Sequence, residues 1–283
     1  MQCRQCLKRC PNWTWVFPIW KVFSTRVWRD FVKVADYFGE VSNKYINQAM
    51  ERMKTMEPDS GRELTVLEKF LAADPDPRTA MVMATDMMAA GIDTTSYTAA
   101  ILMYFLAKNQ DVQEKLFNEV VRFLPAKGDP ITSASINEMK YLKACLKESM
   151  RMQPVTIGNI RKLTKDMVLS NYRVPKGVTV IIPGILISNM DKYFPEANKF
   201  LPERWIKGLQ PEVKHHPFVS LPFGFGPRMC VGRRFAELEI ETLVAKIVRN
   251  FHIEYNYEDM KFKNILLIVP ASPLKFKFTE REI

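Results

Sequence analysis

A chain of 283 residues, 47% hydrophobic and 25% charged, has the composition of a globular protein with room for one large domain or two ordinary ones. No run of about 18 uninterrupted apolar residues occurs, which excludes a transmembrane helix within it. Its 41 basic and 31 acidic residues give a net charge of +10, pointing to an acidic partner or an anionic membrane surface, or more simply to a solvated basic surface; the dispersal of Lys and Arg, without an accompanying motif, argues against nucleic acid.

Residues 1–25 take no assignment. Arg4, Lys8, Arg9, Lys21, Arg26 and Arg29 precede the first acid, Asp30, as in a mitochondrial transit peptide. The segment is poor in serine, however, and Trp13, Trp15, Phe17 and Trp20 equally suit a segment lying on an interface or packing into a core. Cys3, Cys6 and Cys10 invite a metal reading, but three thiols with no nearby His leave a tetrahedral zinc one ligand short. Five cysteines in a chain this long do not make a disulfide framework.

From Arg26 to about Met56 the apolar positions, Phe31, Val34, Tyr37 and Phe38 among them, recur at helical spacing. Asp74-Pro75-Asp76-Pro77 breaks the pattern, and Pro77 suits the start of a helix. The nearly apolar run over about 78–107 predicts a helix roughly 45 Å long. It carries Gly91, Asp93 and Thr94, so it is neither a lipid-facing span nor a plain core helix. Ser135-Ile136-Asn137-Glu138 has capping-box spacing and predicts a helix from about 136 to 152, ending before Pro154. Cys145 lies on its buried face. Short β segments follow between Ile160 and Ile187, then a loop rich in Pro and aromatics from Tyr193 to Gly226. A last long helix is predicted over about 231–250, and Ile265–Val269 with Leu274–Phe278 reads as a hairpin. The fold class is mainly α with a small β component, that is, α+β.

One loop carries chemistry. Phe223-Gly224-Phe225-Gly226-Pro227-Arg228-Met229-Cys230-Val231-Gly232 puts a cysteine where a helix begins. Free N–H groups and the positive helix end there favour a thiolate. Gly226 allows a turn with positive φ, and Gly232 lets the helix backbone approach a flat ligand closely. A bland reading, a lone Cys in a Gly-rich turn, would not require the complete Phe-x-x-Gly-x-Arg-x-Cys-x-Gly pattern.

That pattern resembles the cytochrome P450 family, with specific motifs from the long helix onward and general agreement back to about residue 20. The resemblance implies haem b (iron protoporphyrin IX) with Cys230 as axial thiolate and metal ligand, its electron density promoting O–O cleavage. Arg228 would pair with a propionate, Phe223 would shield the sulfur, and Arg161 would contact a propionate from the first β segment. Glu148 and Arg151, one helical turn apart, would form a buried scaffold triad with Arg204 of Pro202-Glu203-Arg204-Trp205. Ala90-Gly91-Ile92-Asp93-Thr94-Thr95 is similar to the oxygen-activation motif: Gly91 would loosen the helix ladder, Thr94 would hydrogen-bond the activated oxygen, and Asp93 would relay protons. A Thr bonding back to a helix carbonyl is the plainer alternative. Val155, Thr156, Ile157, Leu267 and Ile268 would face a small apolar substrate, the plainer reading being ordinary core.

Lys143 and Lys147, four apart, and Arg233-Arg234 after the cysteine resemble the mitochondrial branch, and the C-terminal half is most similar to insect-type members. The resemblance implies an adrenodoxin-type ferredoxin as electron donor, O2 as co-substrate, peripheral membrane association, and a place on the matrix side of the mitochondrial inner membrane. The alternative is a microsomal-type member on the endoplasmic reticulum membrane, reduced by a flavoprotein reductase. Family members are about twice this length, so residues 26–283 are expected to be a partial domain lacking its N-terminal half. Two functional classes stay open: a piece of a competent monooxygenase, or a truncated non-enzymatic product with weak or no haem binding.

Overall fold

The computed structural model describes residues 22–55, 63–74, 76–209 and 216–282, and the chain divides into two compact units, Met1–Ala90 and Gly91–Ile283. The readings on Cys3, Cys6, Cys10 and most of the basic N-terminus lie outside the described residues. No helix among those described is long and apolar enough to cross a membrane.

In the first unit, Thr25 caps α1 (Arg26–Lys54) by accepting from the Trp28 amide. Thr65 and Glu68 form a reciprocal capping box on α2 (Val66–Ala73), a helix too short for its periodicity to be read. Asp76 accepts from Arg78 N at 2.9 Å where α3 (Pro77–Lys108) begins. Ile46 and Ala49 of α1, Leu71 of α2 and Ala80 of α3 make a small core.

The second unit holds the rest of α3, then α4 (Gln110–Phe123), α5 (Ser133–Glu138), α6 (Lys140–Met152), α7 (Gly184–Ser188) and α8 (Arg233–Asn250). Its core is built from pairs four residues apart: Leu102 and Leu106 of α3, Leu116 and Val120 of α4, Leu142 and Leu146 of α6, Val244 and Val248 of α8. Among the described residues, eight short strands form four antiparallel pairs: β1 (Asn159–Lys162) with β4 (Thr179–Ile182), β2 (Met167–Leu169) with β3 (Tyr172–Val174), β5 (Phe251–Glu254) with β8 (Lys277–Glu280), and β6 (Phe262–Asn264) with β7 (Ile268–Pro270). The architecture is mainly helical with a small β component.

The structure corrects several element boundaries. The helix predicted over 136–152 is two helices, because Thr132, not Ser135, caps α5 and the backbone leaves helical geometry at the fully buried Met139. The helix after the cysteine starts at Arg233 rather than 231. The C-terminal hairpin is replaced by one other hairpin and one long-range strand pair. Ile268 turns back on Phe262–Asn264 through Leu266 at φ +106, while Phe278 goes to β5, where its ring packs edge-on to Phe251 at 6.0 Å. α4 was not anticipated at all.

Candidate functional site

The cysteine loop is held by its own backbone. Cys230 N donates to Phe223 O at 2.8 Å, Met229 N to Gly226 O at 2.9 Å and Gly224 N to Leu221 O at 3.0 Å. Gly224 and Gly226 have φ of +74 and +76, values at which a side chain is strained. The two differ in surroundings. Nothing lies within 4 Å of a Cβ at Gly226, whereas one at Gly224 would meet Asn159 Oδ1 at 2.9 Å. Gly224 therefore seats the loop on β1. Arg161, also on β1, donates to Phe225 O at 3.4 Å, bringing that arginine to the loop. Gly232 is the N-terminal cap of α8, and a Cβ there would stand 4.0 Å from Cys230 Sγ, an ordinary contact. Cys230 is a free, exposed thiol, while Cys145 is fully buried and its thiol is pushed up by burial. Arg228 is exposed beside it.

Glu148 and Arg151, both fully buried on α6, form the most saturated polar cluster described. Arg151 donates to Glu148 through Nε and Nη2, both at 2.9 Å. Glu148 also receives Arg204 Nε at 3.1 Å, Trp205 Nε1 at 2.9 Å and Leu201 N at 3.2 Å. Arg151 continues to Ser188 O at 2.9 Å and Ala197 O at 2.8 Å. Five donors on one carboxylate satisfy it without water, which is what a buried charge requires. Trp205 and the Leu201 amide were not anticipated; the tryptophan next to Arg204 was the available signal. Glu203, between them, binds Lys115 and the Tyr141 hydroxyl, each at 2.8 Å. Burial alone would raise its carboxyl, but these donors outweigh it and hold Glu203 below its ordinary value.

Asp93 and Thr94 are half-buried on α3. The helix is uninterrupted across Ala90–Thr95. Thr98 Oγ1 donates to Thr94 O at 2.8 Å, and Ser96 Oγ to Ile92 O at 2.6 Å, the back-bonding that helical hydroxyls commonly make. Val155, next to Thr156 and Ile157, meets the β6–β7 hairpin: Ile268 N donates to Val155 O at 2.8 Å, beside Leu267. Ile268 is buried and the other four are half-buried.

Of the cationic set, Arg233 is engaged internally, with Glu237 Oε1 at 2.9 Å and its guanidinium 5.5 Å from the centre of the Phe223 ring. Lys143 Nζ reaches Asn137 O at 3.1 Å. Lys147 and Arg234 are exposed and make no hydrogen bond or ion pair among the described residues.

Whether this site suits haem can be judged from its donors. Among the described residues no three His, Cys, Asp or Glu side chains converge to hold a bare metal ion. The thiol stands instead among the exposed apolar side chains of Phe225, Met229 and Val231, with Arg161 and Arg228 near the same loop. One soft ligand, apolar surface and two cations fit a metal that brings its other ligands in a flat apolar macrocycle bearing carboxylates.

Comparison with known proteins gives the same answer. The family model described as Cytochrome P450 matches residues 4–278. The probable cytochrome P450 49a1 of Drosophila melanogaster is 41% identical over 276 residues, covering 94% of this chain and 47% of that protein. Cytochrome P450 CYP12A2 of Musca domestica is 41% identical over 278 residues, 93% of this chain and 51% of its own length. The probable cytochrome P450 301a1, mitochondrial, of Drosophila melanogaster is 41% identical over 93% of this chain and 48% of its own. The crystal structure of a cytochrome P450 (CYP102L1) superposes with a TM-score of 0.77 at 25% identity, covering 90% of this chain and 58% of that one. The chain thus spans about half the length of the curated relatives it matches.

Proposed function

The chain belongs to the cytochrome P450 family, whose proteins bind haem through a cysteine thiolate, and from that membership we propose that it carries the thiolate-bearing half of a monooxygenase. The observation that carries the reading is the exposed Cys230 thiol on a loop closed by its own amide, whose Phe225, Met229 and Val231 are also exposed. When bound, haem supplies the activation of O2 that inserts one oxygen atom into an apolar substrate and releases the other as water.

The chain's own residues have separable tasks in this proposal. Cys230 provides the sulfur ligand, three residues ahead of the start of α8. Arg228 and Arg161 pair with the two propionates. Phe223 excludes water from the sulfur and holds Arg233 across its face. With haem bound, Thr94 Oγ1 would offer a hydrogen bond to oxygen and Asp93 would pass protons inward from solvent. Val155, Thr156, Ile157, Leu267 and Ile268 bind and orient a small apolar substrate. Glu148, Arg151 and Arg204 take no part in chemistry; their cluster fixes α6 against the segment leading to the loop.

Electrons come from an acidic ferredoxin of adrenodoxin type that docks on Lys143, Lys147, Arg233 and Arg234. The protein works on the matrix side of the mitochondrial inner membrane, associated peripherally; several similar insect proteins are named mitochondrial. Supplying haem-loaded protein with reduced ferredoxin, an apolar probe substrate and 18O-labelled O2 tests this. One labelled oxygen in the product is expected; unlabelled product, with its oxygen taken from water, contradicts it.

A further inference from the structure

A carboxyl that the oxidation chemistry leaves idle lies under the cationic face. Glu241, on α8 two turns past Arg233, is only 6% exposed. No hydrogen-bond donor among the described residues reaches it, in contrast with Glu148 and its five. The charged groups facing it are Lys143 and Lys147 from α6 and Glu237 from its own helix; α4, α5 and β5, which also pack on α8, bring none, His252 and Glu254 of β5 included. Glu237 is itself occupied by Arg233. Glu241 is thus an acid in electrostatic reach of both lysines with no hydrogen-bonding or ion-pairing partner of its own among the described residues.

We infer that Glu241 is a protonation switch for the cationic face, so that an acidic protein docks on Lys143 and Lys147 more tightly when Glu241 is neutral. The inference rests on the docking reading above. Its physical basis is simple. A buried carboxylate one helix away subtracts a full charge from a patch whose function is to be positive, and protonation restores that charge without moving a side chain. Burial raises the Glu241 carboxyl to about 7, with Glu237 adding to the rise and the two lysines opposing it. A carboxyl held there changes charge near neutrality, where few other groups respond.

Two measurements on the full 283-residue chain test this. The first follows the Glu241 carboxyl carbon by NMR against pH. A midpoint near neutrality, rising further in the Lys143→Ala/Lys147→Ala variant, is expected; a midpoint in the ordinary carboxylate range overturns the inference. The second measures the affinity for an acidic [2Fe–2S] ferredoxin at low salt between pH 6 and 8. Affinity should be about threefold higher at pH 6, as one unit charge close to a partly solvated contact predicts. Glu241→Gln should bind at every pH as the unsubstituted chain binds at pH 6. If the glutamine variant keeps the original pH dependence while binding persists, the switch is wrong and the docking surface stands. If the lysine double variant binds the ferredoxin unchanged, the docking surface fails and takes the inference with it.

Discussion

Glu148 is where single residues decide most. Its carboxylate is fully buried and carries two arginines, an indole and an amide, so truncating it strands Arg151 without a counter-ion. Glu148→Ala should lose about 3–5 kcal/mol, the usual cost of breaking a buried pair from one side, measured as a lower urea midpoint. Gly224→Ala should act on the loop instead. Its φ of +74 and the 2.9 Å approach to Asn159 Oδ1 together predict a loss of about 1–3 kcal/mol and weaker haem retention. Asn159→Ala in the same chain should relieve the contact part of that loss but not the backbone part. At Glu241 the sign follows from a folded-state value of about 7 against an ordinary 4.5. The folded chain keeps a proton that the unfolded chain releases, so stability is fully present below pH 4.5 and declines as pH rises toward 7. Glu241→Gln should therefore raise the melting temperature at pH 8 by about 2–4 °C and change it little at pH 5. Residue types in the loop could be read from sequence because their chemistry is local: a thiol, a helix start, and two glycines where φ is positive.

Partners that come from distant elements could not be read that way. α6 carries the buried pair and both lysines, yet it has no side-chain cap of its own. Its first amides are taken by Glu119 of α4, with Tyr141 N on Oε1 at 2.8 Å and Leu142 N on Oε2 at 2.9 Å. A carboxylate on the positive end of a neighbouring helix satisfies two orphan donors and the dipole at once. No local motif announces it, because the acid lies 22 residues upstream of Tyr141. This is also why the sequence predicts one helix over 136–152 where the structure has α5, a break at Met139 and α6. Glu119→Ala should cost about 1–2 kcal/mol and speed hydrogen exchange specifically at the Tyr141 and Leu142 amides. Gln113 repeats the lesson. It is fully buried on the unanticipated α4 and bonds Ile253 both ways, donating to its carbonyl at 2.9 Å and accepting from its amide at 2.8 Å. A buried glutamine reads as surface until the strand it serves is in place.

At the scale of the whole molecule, the helical class, the long central helix and the cysteine loop were legible because each is written in a contiguous stretch. The strand pairings were not, since β5 and β8 are separated by more than twenty residues and their match depends on aromatic contacts across the pair. Matches over residues 4–278 place all of these features in one family, in a chain about half the length of its curated relatives. Every functional assignment made for it converges on one sulfur. The most direct test is the carbon monoxide difference spectrum of the reduced, haem-titrated protein, recorded for the unsubstituted chain, for Cys145→Ser and for Cys230→Ser. A thiolate-type Soret band in the first two and its loss in the third is the predicted result. A band that survives serine at position 230, or that disappears with serine at position 145 while the fold is intact, would contradict the assignment.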